Sequence, residues 1–362
     1  MITMTWAKPE GFSKSKIDNA GSILINGKNS QKEERERALE ILNNWRAVHS
    51  YPMHVFKVRL KRVSKKFDKE ALSVQRLKRV PSIIKKLKRG YYGKRPTMKL
   101  SQMQDIAGCR AVVSNVSTAE KLYKEGYIKG DLKHKKVNEK DYITNPKEDG
   151  YRSIHLIYRY KSDKKGKKDY NGLLVEVQIR SKLQHLWATA IETVDFFTRQ
   201  AIKSSEGQRD WITFFRLVSS AFAIMENRPC VPNTPINEKE LFSQIKKMEC
   251  NLNIIKIMKG WTKAIKVFES FEKEIKKGTW YLFLLELDIS RENLNITGYT
   301  KNEEKKAIED YAKAEKKNEG KKEYDVVLVG ADTTNDLKKA YSNYFVDTDE
   351  FLQYLEKIIN KY

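Results

Sequence analysis

The sequence predicts an α+β chain: a strand-rich middle follows a helical N-terminal stretch, and a smaller α+β domain closes the C-terminal end. Two kinds of pattern support this. From about Ser13 to Arg89 apolar residues recur every three to four positions, as at Ala38, Leu39, Leu42 and Trp45 in "QKEERERALEILNNW", the period of a helix packed on one side. From Gln104 to Arg180 the runs "IAGCRAVVSNV", "YRSIHLIYRY" and "GLLVEVQIR" are short, apolar and rich in β-branched residues, the signature of strands.

The remaining elements follow in order. "KSDKKGKKDYN" separates two strand runs and reads as a hairpin tip. A helical zone runs on to about Lys277, broken by "NRPCVPNTPINE", whose prolines mark a linker or domain edge. Then "TWYLFLLELDIS", "NLNITGY" and "YDVVLVGA" supply strands, with the lysine-rich "KNEEKKAIEDYAKAEKKNEGKKE" as an exposed helix and turn between them.

Composition narrows the function classes. At 362 residues the chain is long enough for two or three domains. No apolar run approaches the roughly 20 residues of a membrane span, and "MITMTWAKPEGFSKSK" has no signal-peptide apolar core, so a cytoplasmic protein is expected. Cys109, Cys230 and Cys250 are far apart and form no C-x-x-C pair, which argues against a thiolate zinc site. The net charge of +24 is uneven: between Lys57 and Arg95 sixteen Lys/Arg face two acids. Such a field attracts polyphosphates and nucleic acid, although a solvated basic helix face gives the same composition.

Four clusters carry chemistry. In "RLKRVPSIIKKLKR", Arg76, Lys78, Ser82, Lys86 and Arg89 offer cations and a hydroxyl, the last three close to one helical face, enough to hold a triphosphate. "MQDIAGCR" sets Asp105 before a buried-looking strand and Arg110 within it; a carboxylate there is also a common turn former. "VEVQIR" alternates, so Glu176, Gln178 and Arg180 share one face. In "NPKEDGYRSIHLIY" a turn cluster opens a strand with Tyr, Arg, Ser and His. Tyr151 can stack on a base, Lys147 and Arg152 can hold phosphate, and His155 can hydrogen-bond an acceptor. Two acids beside a basic cradle suit metal-assisted phosphoryl transfer, and Mg2+, which keeps several waters, needs no more protein ligands than that.

In order and spacing, "RLKRVPSIIKKLKR", "DIAGCR", "KDYITNPKEDGYRSIH" and "EVQIRSKLQHLWA" resemble the synthetase domain of the RelA/SpoT alarmone synthetases, over roughly Arg76 to Glu192. The resemblance implies a mixed sheet flanked by helices, related to nucleotidyltransferases, that moves pyrophosphate from ATP to a ribose 3′-hydroxyl. It further implies that Arg76 and Arg110 sandwich adenine, and that Lys78, Ser82, Lys86 and Arg89 bind the ATP phosphates. Asp105 and Glu176 would hold magnesium, Glu176 would activate the hydroxyl, and Tyr151 would stack the acceptor base with Lys147, His155 and Gln178 around it. Two acceptor-side positions, Asn138 and His185, depart from the pattern common in guanine-nucleotide synthetases.

The C-terminal half, with "FFRLVSSAFAIMENRPCVPNTP" and "AYSNYFVDTDEFLQYLEKI", looks like the fused toxin–antitoxin small alarmone synthetases of the CapRel type. That likeness implies an acceptor at the tRNA 3′ end, with GDP or GTP as the alternative, and a last domain resembling a zinc-binding fold without metal ligands. It also implies a Y-x-x-Y brake, here Tyr341 and Tyr344, released by a phage protein. The implied boundaries are a helical segment at 1–75, a pyrophosphokinase core at 76–205, a helical linker at 206–277 and a regulatory domain at 278–362. A catalytically silent RNA-binding module is the reading from another class; the oligomeric state stays open, a monomer included.

Overall fold

The computed structural model describes residues 6–8, 11, 13–26, 32–89, 98–198, 205–270, 279–288, 291, 293–318, 321, 324–330 and 344–361. It divides into two compact units, one of residues 1–143 and 152–182, the other of 144–151 and 183–362.

The first unit is built on a five-stranded mixed sheet in the order β1-β2-β5-β4-β3. The strands are β1 (Leu72–Leu77), β2 (Ala107–Val113), β3 (Lys135–Asp141), β4 (Ile154–Arg159) and β5 (Leu174–Ser181). β2 and β5 run parallel; every other pairing is antiparallel. Three helices precede the sheet: α1 (Lys14–Asn26), α2 (Lys32–Val48) and α3 (Ser50–Phe67). α4 (Val80–Leu87) follows β1, and α5 (Val116–Lys121) follows β2.

Alternation along the strands gives the sheet two unlike faces. Val175, Val177 and Ile179 join Cys109, Ala111, Ile154 and Leu156 in a core covered by Met53, Phe56, Leu60 and Val63 of α3. Each fully buried aliphatic side chain of that kind contributes roughly 1.5–3 kcal/mol. The opposite face carries the cross-strand rows Arg76–Gly108–Glu176–Ile157–Asn138 and Val74–Arg110–Gln178–His155–Lys140. Its polarity is what the alternation of "VEVQIR" predicts.

A second, separate core ties α1, α2 and α4 to the segment before β2, through Ile17, Leu24, Leu42, Ile83, Leu87 and Leu100. α4 starts where Arg79 is extended and Pro81 stands in the first turn, where a missing N–H costs nothing. Asp68, in the turn after α3, accepts from the Ser114 N–H at 2.7 Å and so pins the far end of β2.

The expected helical stretch from Ser13 to Arg89 is interrupted by β1. "LSVQRL" alternates apolar and polar residues, and the dense Lys/Arg on either side hides that short period. Arg76 therefore lies on a strand, Ser82 and Lys86 on α4, and Arg89 beyond the helix end. β3 escapes sequence reading because an edge strand reading "KKVNEKD" has no apolar stripe. The hairpin between β4 and β5 is as expected.

In the second unit α6 (Lys182–Thr198), α7 (Ser205–Met225), α8 (Glu238–Leu252) and α9 (Ile254–Ser270) are followed by a three-stranded antiparallel sheet, β7-β6-β8. Its strands are β6 (Leu282–Asp288), β7 (Asn293–Tyr299) and β8 (Tyr324–Gly330); α10 (Glu304–Lys317) and α11 (Tyr344–Ile359) complete the unit. Phe197, Phe214, Phe215, Phe222, Trp261 and Phe351 form its aromatic core. Among the described residues no helix is long and apolar enough to cross a membrane.

Candidate active site

The polar sheet face of the first unit gathers most of the expected site. Asp105 sits in the turn just before β2, two residues from the pairing of Ala107 with Val175, which places it at the end of the sheet where Glu176 lies. Its Oδ2 accepts from Lys78 Nζ at 3.0 Å and from Lys86 Nζ at 2.8 Å. Burial pushes the Asp105 carboxyl upward, but the charges and hydrogen bonds of the two lysines outweigh it and hold it below the usual carboxylate value.

Glu176 projects from β5 and is engaged at both oxygens. Oε1 lies 2.9 Å from His155 Nδ1, and Oε2 accepts from the Gln178 amide at 2.7 Å. Burial raises its carboxyl; the His155 contact and the Gln178 hydrogen bond outweigh that, and the result is lowered although the negative Asp105 nearby opposes it. Gln178 in turn accepts from Arg180 at 3.1 Å. The Tyr142 ring meets His155 edge-on at 5.4 Å. Both carboxylates are thus anions, Asp105 held by two lysine ammonium groups and Glu176 by the His155 ring and the Gln178 amide.

Several supports hold this set and were not legible in the sequence. Arg46 Nε donates to the Lys78 carbonyl at 2.9 Å. Asp18 on α1 accepts from the Ser101 N–H at 2.8 Å and from its hydroxyl at 3.0 Å, anchoring the segment that leads to Asp105. Gly21 lets α1 approach this segment: a Cβ there would stand 2.9 Å from Leu100 Cβ. Gln104, adjacent to Asp105, accepts from Asn138 at 3.3 Å. Such contacts join residues far apart in sequence and leave no local pattern.

The remaining expected residues are distributed as follows. Arg76 and Arg110 share the polar face by register; Arg110 is 7% exposed. Ser82 is half-buried on α4 and Arg89 exposed. Arg152, expected to hold acceptor phosphate, is only 4% exposed and donates to the Ile143 carbonyl at 3.5 Å, so in this conformation it anchors backbone. Lys147 and Tyr151 belong to the second unit, with Lys147 Nζ 5.4 Å from the Tyr151 ring centre. Gly150 closes their turn at φ +94°, where a Cβ would meet Trp187 at 2.8 Å. His185, expected on the acceptor side, is buried in the second unit against Asp347 at 3.0 Å. Tyr341 lies outside the described residues; Tyr344 opens α11.

A divalent cation fits the donor set. Asp105 Oδ1 is buried without a hydrogen-bond partner among the described residues, while its other oxygen holds both lysines. Two carboxylates, with water and substrate phosphate completing the shell, are the usual protein share of a magnesium site. No group of three or more His, Cys, Asp and Glu that could hold a metal occurs among the described residues.

A paired-carboxylate face on a mixed sheet, with lysines at one margin, offers acceptors for a divalent cation and donors for phosphate oxygens. Residues 75–195 match the family model described as a region found in RelA / SpoT proteins, so the chain carries a RelA/SpoT region there. It is 32% identical over 121 residues to the GTP pyrophosphokinase YjbM of Bacillus subtilis, covering 33% of this chain and 54% of that protein. To YwaC, another GTP pyrophosphokinase of the same organism, it is 36% identical over 115 residues, covering 32% and 52%. The chain thus spans about half the length of the curated relatives it matches. Among solved structures, the small alarmone synthetase 1 of B. subtilis bound to its product pppGpp aligns at 24% identity and TM-score 0.43, over 52% of this chain and 93% of that one. A GTP pyrophosphokinase family protein of Streptococcus pneumoniae aligns at 21% identity and TM-score 0.38, over 49% and 85%.

Proposed function

We propose that this chain is an ATP-dependent pyrophosphokinase that transfers the β,γ-pyrophosphoryl group of ATP to a ribose 3′-hydroxyl. The observation that carries the reading is the pair Asp105 and Glu176, both kept ionised, with Lys78 and Lys86 on the first and His155 and Gln178 on the second. The match of residues 75–195 to a RelA/SpoT region supports it.

In the proposed step the 3′-oxygen bonds to the ATP β-phosphorus, the bond from that phosphorus to the α-bridging oxygen breaks, and AMP leaves. Glu176 takes the hydroxyl proton; the His155 and Gln178 contacts keep its carboxylate oriented for it. Lys78, Lys86, Ser82 and Arg89 receive the phosphates, and Arg76 and Arg110 flank the adenine. Asp105 and Glu176 would hold Mg2+, which when bound supplies charge neutralisation at the transferring group. Most of the rate then comes from positioning and preorganised charge.

For the acceptor we favour the tRNA 3′ end, with Tyr151 and Lys147 as contacts to its terminal nucleotide. The amide Asn138 at a position where guanine-nucleotide synthetases commonly carry a charge supports this. GDP or GTP is the second reading, supported by the names of YjbM and YwaC. The resemblance of the C-terminal half to CapRel-type chains, including a zinc-binding-like last domain, supports self-inhibition through Tyr341 and Tyr344 with release by a phage protein.

Incubation with β,γ-labelled ATP, Mg2+ and equal concentrations of tRNA, GDP or GTP tests the reading. Label on tRNA supports the first acceptor and label on guanine nucleotide the second. Absence of label from all three, with ATP bound, in both the parent and the Tyr341→Ala/Tyr344→Ala chain refutes the pyrophosphokinase reading. For the brake, a Tyr341→Ala/Tyr344→Ala chain no more toxic on expression than the parent refutes it.

A further inference from the structure

We infer that the hairpin between β4 and β5, together with the start of β3, is a binding surface for the phosphate backbone of an RNA acceptor. This inference rests on the RNA-acceptor reading above and names the part of the molecule that would carry it.

Strand directions place the surface. Lys135 pairs with Arg159, Arg159 with Leu174, and Ala107 with both Val175 and Leu77. The start of β3, the end of β4 and the start of β5 therefore lie at the same end of the sheet as Asp105 and Glu176. Across that end the cradle lysines, Lys78 and Lys86, stand on the β1 side of Glu176 and are engaged by Asp105. On the other side, toward β4 and β3, stand Lys133, Lys135, Arg159, Lys161, Lys164 and Lys165, all exposed and none in an ion pair among the described residues.

The hairpin presents these charges in a built loop. Lys167 and Lys168 donate their N–H groups to the Lys164 carbonyl at 3.0 and 3.1 Å. Ser162 and Asn171 bond across the base, the Ser162 N–H reaching Asn171 Oδ1 at 2.7 Å. Tyr170 donates to the Ala7 carbonyl at 2.9 Å, and Lys167 lies 4.2 Å from the Tyr51 ring centre. Between Lys161 and Asp169 five lysines face two acids, Asp163 and Asp169. The loop folds on itself through a 3-10 turn at Lys168–Tyr170, with Tyr170 buried, and leaves Lys161, Lys164, Lys165 and Lys168 exposed around it. Cations spread over such a loop suit successive phosphates of a chain, whereas a mononucleotide carries all its phosphates at one point.

The basic run that dominates the sequence sits elsewhere. Lys61, Arg62, Lys65 and Lys66 are exposed near the end of α3, which packs on the apolar sheet face and leads into the end of β1 farthest from Asp105. That segment supplies a control of equal charge.

The experiment compares the full-length chain with Lys161→Glu/Lys164→Glu/Lys165→Glu and with Lys61→Glu/Lys65→Glu/Lys66→Glu. The probe is a labelled RNA stem with a single-stranded 3′ end, its binding measured across salt concentration, and thermal unfolding checks each variant. Lys→Gln versions at the same positions replace any that fails to fold. The expected result is that the hairpin variant binds at least about 10-fold more weakly, with its log–log salt slope shallower by roughly 2 for three lost contacts. The α3 variant is expected to bind as the parent does. Equal loss in both variants, or no loss in the hairpin variant, overturns the inference. So does hairpin-dependent binding to vesicles of phosphatidylserine and phosphatidylcholine in preference to the RNA. Hairpin-dependent RNA binding without transfer of label to RNA upholds the surface and refutes the RNA-acceptor reading. Label on RNA that is indifferent to the hairpin does the reverse.

Discussion

His185 and Asp347, 162 positions apart, meet at 3.0 Å through Nε2 and Oδ2, both side chains buried. The contact joins α6, which continues directly from the strand bearing Glu176, to the first turn of α11. Phe351, Leu352, Leu355 and Ile358 extend the same packing into the aromatic core, and Thr193 and Thr348 hydroxyls meet at 3.4 Å. α11 is thereby part of the core of its unit. Asp347→Ala leaves a buried imidazole without this partner and is expected to cost roughly 1–3 kcal/mol of unfolding free energy. Asp347→Asn, which keeps a hydrogen-bonding atom in place, should cost clearly less. Denaturant unfolding followed by tryptophan fluorescence measures both.

Asp105→Ala and Glu176→Gln each remove one of the two anions on the polar face. Each is expected to lower pyrophosphoryl transfer at least about 10³-fold, the scale of losing a preorganised charge contact. The fold should survive, because neither side chain contributes to the apolar cores. Transfer at more than a tenth of the parent rate in either variant would remove that residue from the assignment.

Gly21→Ala tests how far the N-terminal helices set the position of Asp105. The added methyl meets Leu100 Cβ at 2.9 Å, a contact that must be relieved by moving the segment which Asp18 holds through Ser101. An overpacking cost of roughly 1–3 kcal/mol is expected. Transfer should fall more than ATP affinity does, since Lys78, just after β1, and Lys86, on α4, stay in place. A variant with parent kcat would show that the α1 contact has no bearing on the site.

His49 is fully buried, its Nδ1 2.6 Å from the Trp45 carbonyl. Burial lowers its imidazole to about 4, against an ordinary value near 6.5, although the carbonyl contact works the other way. The unfolded chain therefore binds a proton between pH 6.5 and 4 that the folded chain refuses. Stability is full above pH 6.5 and falls as the solution is acidified toward pH 4, by up to about 3 kcal/mol from this group. His134, buried and likewise lowered to about 4 by burial, adds in the same direction. A His49→Gln variant should show a flatter dependence of unfolding midpoint on pH over that window; an unchanged slope would locate the effect elsewhere.

Glu249 runs the opposite way. Burial raises its carboxyl to about 7, while the N–H groups of Ile255 and Ile254 and the charge of Lys256 pull it down. With the folded value above the ordinary one, its contribution is present below about pH 4.5 and lost as pH rises through 7. Glu249→Gln is expected to remove a decline in second-unit stability between pH 5 and 8, measured by thermal unfolding at each pH.

What the sequence by itself determined is local and periodic. Alternation in "VEVQIR" put Glu176 and Gln178 on one sheet face, because side chains of a strand point to opposite sides in turn. Of the residues singled out in "RLKRVPSIIKKLKR" and "MQDIAGCR", Lys78, Lys86 and Asp105 meet in the fold. The tertiary structure decided what depends on distant partners. β1 exists as a strand because β2 offers it a pairing edge, and its flanking Lys/Arg concealed that. Lys78 and Lys86 converge on one oxygen of Asp105 because a core from α1, α2 and α4 sets the preceding segment there. His185 and Arg152 looked like ligand contacts by residue type, yet burial engages one with Asp347 and the other with the Ile143 carbonyl. Of the many lysines, strand direction alone separates those at the carboxylate end from those behind the sheet. Composition counts charges, but only the fold assigns them to an end and a face.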